Sequence, residues 1–416
     1  MILFHGWYSM IYIITMLYGR ETAKRYFWAI LSITLFGALI GICFFLLPFF
    51  ADPYEFIILL CIPILLEAIR SFFCAAYCTG AARGLRISRG LVLLFMVYVV
   101  LFSKIHAWET VLSGFITGLY LMVSSVWKMS NSVVLKFKRW KLMFAVSVLE
   151  FMIGLWNFIP WSFDYSSRQI YWDVGTLILI YSLDSFFVYY FVTSSQLADI
   201  DSLKSNENEA NEENETNNKN REKAVLHVWT TTGQLPLFFK LIQRYIVSRN
   251  SLGVISTGHV AFELDEVYIS HYPEKDIERD TSQFLKILKS TEENNDSGVF
   301  QISYNDEMKI APPSNFTIPI DGVSKEKLDE FWNEYRKDTT YNLTNRNCST
   351  VVSLALIKST EGYFTEKRGG FMLLLKLLFS PELWVMSQLR KHASIMTWTP
   401  GIVLDYSRAM SVLLKM

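Results

Sequence analysis

Hydrophobic and polar positions divide the chain into two different halves. Up to about residue 196, apolar runs of roughly 20 residues recur, a length that suits the ~30 Å hydrocarbon core of a bilayer. The runs that predict membrane-spanning helices cover residues 27–49, 54–76, 88–103, 107–127, 141–160 and 173–195. We therefore expect a six-helix transmembrane domain over residues 26–196.

The first 25 residues are also apolar, but they differ from a secretory signal. No positive charge precedes the apolar stretch, and no small-residue cleavage site follows it. An uncleaved interfacial helix over residues 1–25 is the favoured interpretation. Whether residues 1–19 span the membrane is left open.

Positive charges concentrate in alternate loops between the apolar runs. The loops after the second and fourth runs carry Arg83, Arg86, Arg89, Lys128, Lys136, Lys138, Arg139 and Lys141. Basic loops face the cytoplasm, and an even number of crossings returns the chain to the same side. The pattern thus predicts a multi-pass protein of the bacterial inner (plasma) membrane with its C-terminal domain in the cytoplasm.

A polar stretch separates the two halves. Residues 199–223 are rich in Asn, Glu and Ser and lack apolar periodicity, a composition that cannot bury enough surface to become ordered. We interpret residues 197–224 as a disordered acidic linker.

The second half alternates strand and helix patterns. "GVISTGHVAFEL" and "EVYISHYP" alternate apolar and polar residues around an acidic turn at Asp265 and Glu266, which predicts a β-hairpin. "SKEKLDEFWNEYRK" predicts an amphipathic helix that starts near Ser324. The fold class expected is multi-domain: an all-α polytopic membrane domain, then an α+β domain over residues 225–362 and C-terminal amphipathic helices over residues 363–416. Thr399 and Pro400 are typical of the start of the last helix.

One cysteine lies where a nucleophile would be activated. In "YNLTNRNCSTVV", Cys348 follows a polar loop and begins a run with helical apolar spacing, so it is expected in the first turn of a helix. Unpaired amides and the helix dipole there lower a thiol pKa and offer donors to an oxyanion. Cys348 is the predicted nucleophile.

A thiol nucleophile needs a base, and the hairpin supplies candidates. His259 is the expected base because cysteine enzymes commonly activate sulfur with an imidazole that a third polar group holds. His271, on the neighbouring strand, could share a face with His259 and orient it. Glu263, four residues after His259 on the same strand, is a competing third residue. The sequence leaves this alternative open.

Two stretches of the chain resemble known families. "RYFWAILSITLFGALIGICFFLLPFF" with "IILLCIPILLEAIRSFFCA" resembles the start of the HdeD family of bacterial acid-resistance membrane proteins. "GHVAFEL", a His-bearing strand and "YNLTNRNCSTVV" resemble the circularly permuted papain-like enzymes, both the YiiX-like and the lecithin:retinol acyltransferase-like branches. The second resemblance implies that Cys348 is the nucleophile, His259 the base and His271 the orienting residue. Asn-Cys-Ser-Thr stands where the acyltransferases have Asn-Cys-Glu-His.

Composition limits the other functions. The chain carries 39 basic and 39 acidic residues, so no global positive field recruits nucleic acid. Four of the five cysteines, Cys43, Cys61, Cys74 and Cys78, lie in the apolar half. We expect no metal and no cofactor.

The predicted function is a membrane-anchored cytoplasmic cysteine hydrolase that cleaves an amide, ester or thioester bond. Its expected partners are membrane lipids and a protein or lipid acyl substrate at the inner leaflet, and an oligomer is compatible with the sequence. The alternative is a non-catalytic, HdeD-like membrane protein of the stress or acid response whose C-terminal half is a binding module.

Overall fold

The structure is a computed structural model. It describes residues 12–19, 27–47, 106–135, 140–158, 221–230, 248–249, 255–256, 258–275, 289–366, 380–395 and 397–416, with isolated positions in 65–98, 171–182 and 373–377. The chain divides into two compact units. The first comprises Met1–Ile11, Arg25–Val133 and Arg139–Tyr190, and the second Tyr12–Lys24, Val134–Lys138 and Phe191–Met416.

The first unit is helical where it is described. Its continuous helices are α1 (Phe27–Leu46), α2 (His106–Leu135, whose last two residues belong to the second unit) and α3 (Trp140–Trp156). Polar groups join α2 to α3, because the Lys128 ammonium donates to both carboxylate oxygens of Glu150, at 2.7 and 2.9 Å. The two backbones also approach closely: a Cβ added at Gly118 would lie 2.9 Å from the Gly154 carbonyl oxygen.

These helices correct the membrane predictions. Among the described residues, none of the helices combines the length and the apolar character that crossing a bilayer requires. The predicted all-α polytopic membrane domain is therefore wrong, and so are the predicted transmembrane helices and the multi-pass inner-membrane localisation. Helix α3 has 17 residues, at the lower limit for a span, and the Lys128–Glu150 ion pair gives α2 and α3 a polar contact. Most of the predicted spans 54–76 and 173–195 lies outside the described residues.

The second unit is an α+β structure around an antiparallel sheet. Its strands are β1 (Arg221–Trp229), β2 (Ser248–Arg249), β3 (Ile255–Ser256), β4 (His259–Leu264), β5 (Val267–Ile269), β6 (His271–Pro273), β7 (Asp296–Phe300), β8 (Phe316–Ser324) and β9 (Thr340–Tyr341). The main sheet has the order β5-β4-β1-β8, and β6-β7-β9 and β2-β3 form smaller sheets. The predicted hairpin is confirmed as β4 and β5, with Leu264 paired to Val267.

The helices of the second unit follow their sequence signals. They are α4 (Tyr304–Glu307), α5 (Lys325–Tyr335), α6 (Cys348–Ser359), α7 (Tyr363–Glu366), α8 (Pro381–Ile395) and α9 (Pro400–Leu413), with a 3₁₀ turn at Glu292–Asn294. Ser324 caps α5 and Thr399 caps α9, each accepting a bond from a first-turn amide, which confirms the two predicted helix starts. Helices α6 and α9 pack on the main sheet, and buried apolar side chains line both.

The register of β1 and β4 gives the main sheet two chemically different faces. Leu226 pairs with Phe262 and Val228 with Val260, and all four are fully buried apolar residues. Side chains alternate along a strand, so the intervening residues share the opposite face. They are His227, Trp229, His259, Ala261 and Glu263. This second face carries the titratable groups.

The structure changes two of the predicted segment boundaries and leaves most of the linker undescribed. Residues 12–18 are helical and pack within the second unit, where the Arg390 guanidinium lies 3.3 Å from the centre of the Tyr12 ring. Residues 221–224, assigned to the linker from composition, begin β1. There Arg221 donates to the carbonyls of Gly322 and Glu361, at 2.7 and 3.2 Å. The linker residues 197–220 lie outside the described residues.

Candidate functional site

Cys348 is the first residue of α6, as predicted. The Asn347 side-chain oxygen accepts a bond from the Thr350 amide at 2.8 Å, and its NH₂ group donates to the Leu343 carbonyl at 2.7 Å. Asn347 therefore caps the helix and ties it to the preceding loop. The amides of Cys348 and Ser349 belong to the first turn, which has no carbonyl partners within the helix.

The loop before Cys348 is closed by its own polar residues. The Asn342 and Arg346 backbones exchange two hydrogen bonds, at 3.1 and 3.2 Å. The Asn342 side-chain oxygen accepts from the Thr344 amide at 3.1 Å. The Arg346 guanidinium lies 4.0 Å from the centre of the Tyr335 ring and donates to the Thr340 carbonyl at 2.8 Å. The polar residues of "YNLTNRN" thus fix the backbone that presents the sulfur.

His259 begins β4 and lies beside Cys348. Gly258, which precedes it, has a φ of +68°, and a Cβ there would lie 2.5 Å from the Trp229 carbonyl oxygen. Only glycine fits this approach. The imidazole of His259 and the sulfur of Cys348 lie close enough that each shifts the pKa of the other. Both residues are nearly enclosed, with exposures of 7% and 6%.

The far nitrogen of His259 faces a carboxylate that the sequence analysis missed. His259 Nε2 lies 3.1 Å from Glu307 Oε1 and 2.9 Å from Ser270 Oγ. An ionised carboxylate only accepts hydrogen bonds, so Nε2 carries a proton and Nδ1 is left to the sulfur. Glu307 is fully buried at the end of α4. Cys348, His259 and Glu307 thus form a series of three interacting ionisable groups.

Two tyrosines complete the environment of Glu307. Tyr268 donates its hydroxyl to Oε2 at 2.5 Å, and Tyr272 donates to Oε1 at 2.6 Å. The Tyr272 ring also stacks on the His259 imidazole, with centroids 4.0 Å apart and planes 15° apart. Each oxygen of the buried carboxylate therefore has a donor.

These contacts set the charges at the site. Burial favours neutral Glu307, but His259 and the two tyrosine hydroxyls outweigh it and lower the pKa of Glu307 to about 2. Burial likewise lowers the pKa of His259, but Cys348 and Glu307 outweigh this and raise it to about 9. Burial raises the pKa of the Cys348 thiol, whereas His259 and the Val260 amide lower it, and the net direction is down. All three shifts favour the charged forms, which are the thiolate, the imidazolium and the carboxylate.

His271, the predicted third residue, lies elsewhere. Its side chain is fully buried on β6, and its ring packs against Phe300 and Tyr341, at centroid distances of 4.6 and 5.1 Å. The Thr339 backbone is a polar neighbour of its ring, and among the described residues no hydrogen bond joins the ring to His259 or Glu307. Burial lowers the pKa of His271 to about 4, so the ring is neutral at pH 7. The residues on either side, Ser270 and Tyr272, are the ones that reach the site.

Glu263, the competing third residue, is paired with another histidine. Its Oε2 lies 2.9 Å from His227 Nε2. The sequence signal that could have identified Glu307 is the "SYNDE" segment, in which Ser303 caps a helical turn and its hydroxyl accepts from the Asp306 amide. In the described part of the chain, no group of three or more His, Cys, Asp or Glu side chains could hold a metal ion.

Tyr268→Phe tests how much the hydroxyl that donates to Glu307 contributes to the stability of the fold. Removing one hydroxyl leaves a buried carboxylate oxygen without its donor, which we expect to lower the free energy of unfolding by about 2 kcal/mol. Urea denaturation measures the change. Tyr335→Phe is the matched control, because the buried Tyr335 hydroxyl has no hydrogen-bond partner among the described residues, and we expect its unfolding free energy to be unchanged or higher. Equal losses in both variants would contradict the assignment.

Comparisons with family models, with curated proteins and with solved structures find no match for this chain.

Proposed function

We propose that the second unit is a cysteine hydrolase that acts on an amide, ester or thioester. The observation that carries the proposal is the buried series Cys348–His259–Glu307. A thiol at a helix start has its imidazole partner on one side, and a carboxylate orients that imidazole from the other. The resemblance of "GHVAFEL" and "YNLTNRNCSTVV" to permuted papain-like enzymes supports the same chemistry.

In the proposed first step, the Cys348 thiolate attacks the carbonyl carbon of the substrate. The electron pair of the carbonyl moves to its oxygen, and the first-turn amides of α6 are placed to donate to that oxyanion. The tetrahedral intermediate collapses and the bond to the leaving group breaks. The leaving group takes the proton of imidazolium His259, and an acyl thioester remains on the sulfur.

In the second step, water attacks the acyl thioester and gives a proton to His259. Collapse releases the acid and returns the sulfur to the thiolate beside imidazolium His259. Glu307 stays ionised throughout, because its role is to hold the Nε2 proton and to stabilise the imidazolium. The low exposure of all three residues limits competing water around the charges and strengthens their interactions.

Trapping the acyl-enzyme tests the proposal. We expect p-nitrophenyl butyrate, a butyryl thioester or a butyryl anilide to add one butyryl group per chain, which intact mass and peptide mapping locate on Cys348. Cys348→Ala removes the adduct. Cys43→Ala is the matched control because Cys43 is a free, exposed thiol, and this variant should acylate like wild type. Absence of a Cys348 adduct with all three probes would contradict the proposal.

A further inference from the structure

Glu307 is presented by a helix that cannot hold itself in place. Helix α4 has four residues, far fewer than an isolated helix needs to be stable in water. Among the described residues, the Asp306 carboxylate beside Glu307 bonds only to the Ser303 cap and to exposed Lys309. The position of Glu307 therefore depends on what α4 rests upon.

Tyr304, at the start of α4, lies on a histidine of the main sheet. The rings of Tyr304 and His227 are stacked, with centroids 4.0 Å apart and planes 17° apart. The Tyr304 hydroxyl accepts from the Ser314 amide at 3.1 Å and lies 3.2 Å from its Oγ. Residues three apart share a helix face, so Tyr304 and Glu307 both face the sheet. Fixing Tyr304 therefore fixes the direction of Glu307.

His227 is itself held from two sides. Its Nε2 lies 2.9 Å from Glu263 Oε2, and Ser314 Oγ lies 3.5 Å from its Nδ1. The side chain of His227 is buried, whereas that of Glu263 is 36% exposed. Trp229 lies opposite His259 in the β1–β4 register. His227 is two residues from Trp229 on β1, so His227 and His259 share one face of the sheet. The pair with Glu263 thus sets the plane on which the Tyr304 ring lies.

We propose that His227 and Glu263 are positioning residues for the hydrolase: they fix the Tyr304 ring, and through α4 they aim Glu307 at His259. This positioning role rests on the proposed function, because aiming Glu307 matters only if Glu307 supports His259 in catalysis. Neither residue contacts Cys348 or a reacting atom in this account. The expected defect on their loss is a misplaced Glu307 and a smaller thiolate fraction at Cys348.

The test is the rate at which iodoacetamide alkylates Cys348 in the full chain, followed by peptide mapping from pH 5 to 10. We expect His227→Ala to move the midpoint to higher pH by about one unit and to lower the rate about tenfold at a pH below both midpoints, since one pKa unit is tenfold in thiolate there. His227→Phe keeps an aromatic face under Tyr304 but cannot pair with Glu263, so we expect an intermediate rate, about threefold below wild type. His392→Ala, the same substitution on α8, should match wild type.

Two further variants make the result decisive. If His227→Ala does not fold, Tyr304→Leu removes the stacked ring from the other side and should give the same tenfold loss. A wild-type rate and midpoint in a folded His227→Ala or Tyr304→Leu protein overturns the inference. His259→Ala separates failure of the proposed function from failure of the positioning role. If it leaves alkylation unchanged, the proposed function fails. If it slows alkylation while His227→Ala and Tyr304→Leu do not, only the positioning role fails.

Discussion

Glu307→Gln is expected to lower the rate of Cys348 acylation at least about a hundredfold, within the range that proton-transfer groups contribute. The substitution keeps the size of the side chain but removes its charge. The imidazolium of His259 then loses the carboxylate that lies 3.1 Å from Nε2, so the thiolate–imidazolium pair becomes less populated. An amide also offers only one acceptor oxygen to the two donating hydroxyls, Tyr268 and Tyr272.

His271→Phe is the matched control for this prediction. It replaces the third residue predicted from sequence with a ring that suits the aromatic surroundings formed by Phe300 and Tyr341. We expect acylation within about threefold of wild type, because neutral His271 does not contact His259 through a hydrogen bond. Acylation is followed by the release of p-nitrophenol in stopped flow. A larger loss in His271→Phe than in Glu307→Gln would give the orienting role back to His271.

The local parts of the second unit were predictable from sequence because their signals are local. A run of apolar residues after Asn347 sets the start of α6, and an acidic turn at Asp265 and Glu266 sets the β4–β5 hairpin. A helix start or a two-residue turn depends on neighbours within four positions. Cys348 and His259 were therefore correctly predicted to lie on a helix start and on a hairpin strand, and the fold brings these two elements together.

The partner of His259 was not predictable from sequence. It depends on which residues of a strand face the site and on a segment far away in the chain. A shift of one residue reverses which side chains of a strand face a site. Ser270 and Tyr272 reach His259 and Glu307, and His271 between them faces away. Glu307 lies 48 positions from His259 along the chain, and no spacing rule links the two. Its role becomes visible only when α4 is placed on the sheet.

The first half shows a different limit of sequence reasoning. Apolar runs specify burial, but they do not specify whether lipid or other helices cover the surface. Glu150, inside the fifth run, bonds to Lys128, which directly follows the fourth run. Run length and loop charge carried the prediction of membrane spans, and the described helices do not bear it out.

The second large effect concerns the charge state of Cys348 itself. In wild type, imidazolium His259 favours the thiolate, so the alkylation midpoint of Cys348 is expected below the value of about 8.5 for a free thiol. In His259→Ala, burial remains without the favourable charge, and burial alone raises the pKa of a thiol. The midpoint should therefore move above 8.5, and the alkylation rate at pH 7 should fall by more than about tenfold.

Above about pH 9, turnover and alkylation should depend on pH in different ways. Because the pKa of His259 is raised to about 9, imidazolium is present below that pH and is lost above it. Turnover, which needs this proton for the leaving group, should therefore rise as Cys348 ionises and fall as the pH passes about 9. Alkylation, which needs only the thiolate, should not fall there.

The pH dependence of Cys348 alkylation in wild type and in His259→Ala tests the central pairing most directly, because it needs no knowledge of the substrate. Peptide mapping separates Cys348 from the other four cysteines. We expect a wild-type midpoint below about 8.5 that moves to higher pH in the variant. Equal midpoints in the two proteins, or a wild-type midpoint at or above that of a free thiol, would contradict it.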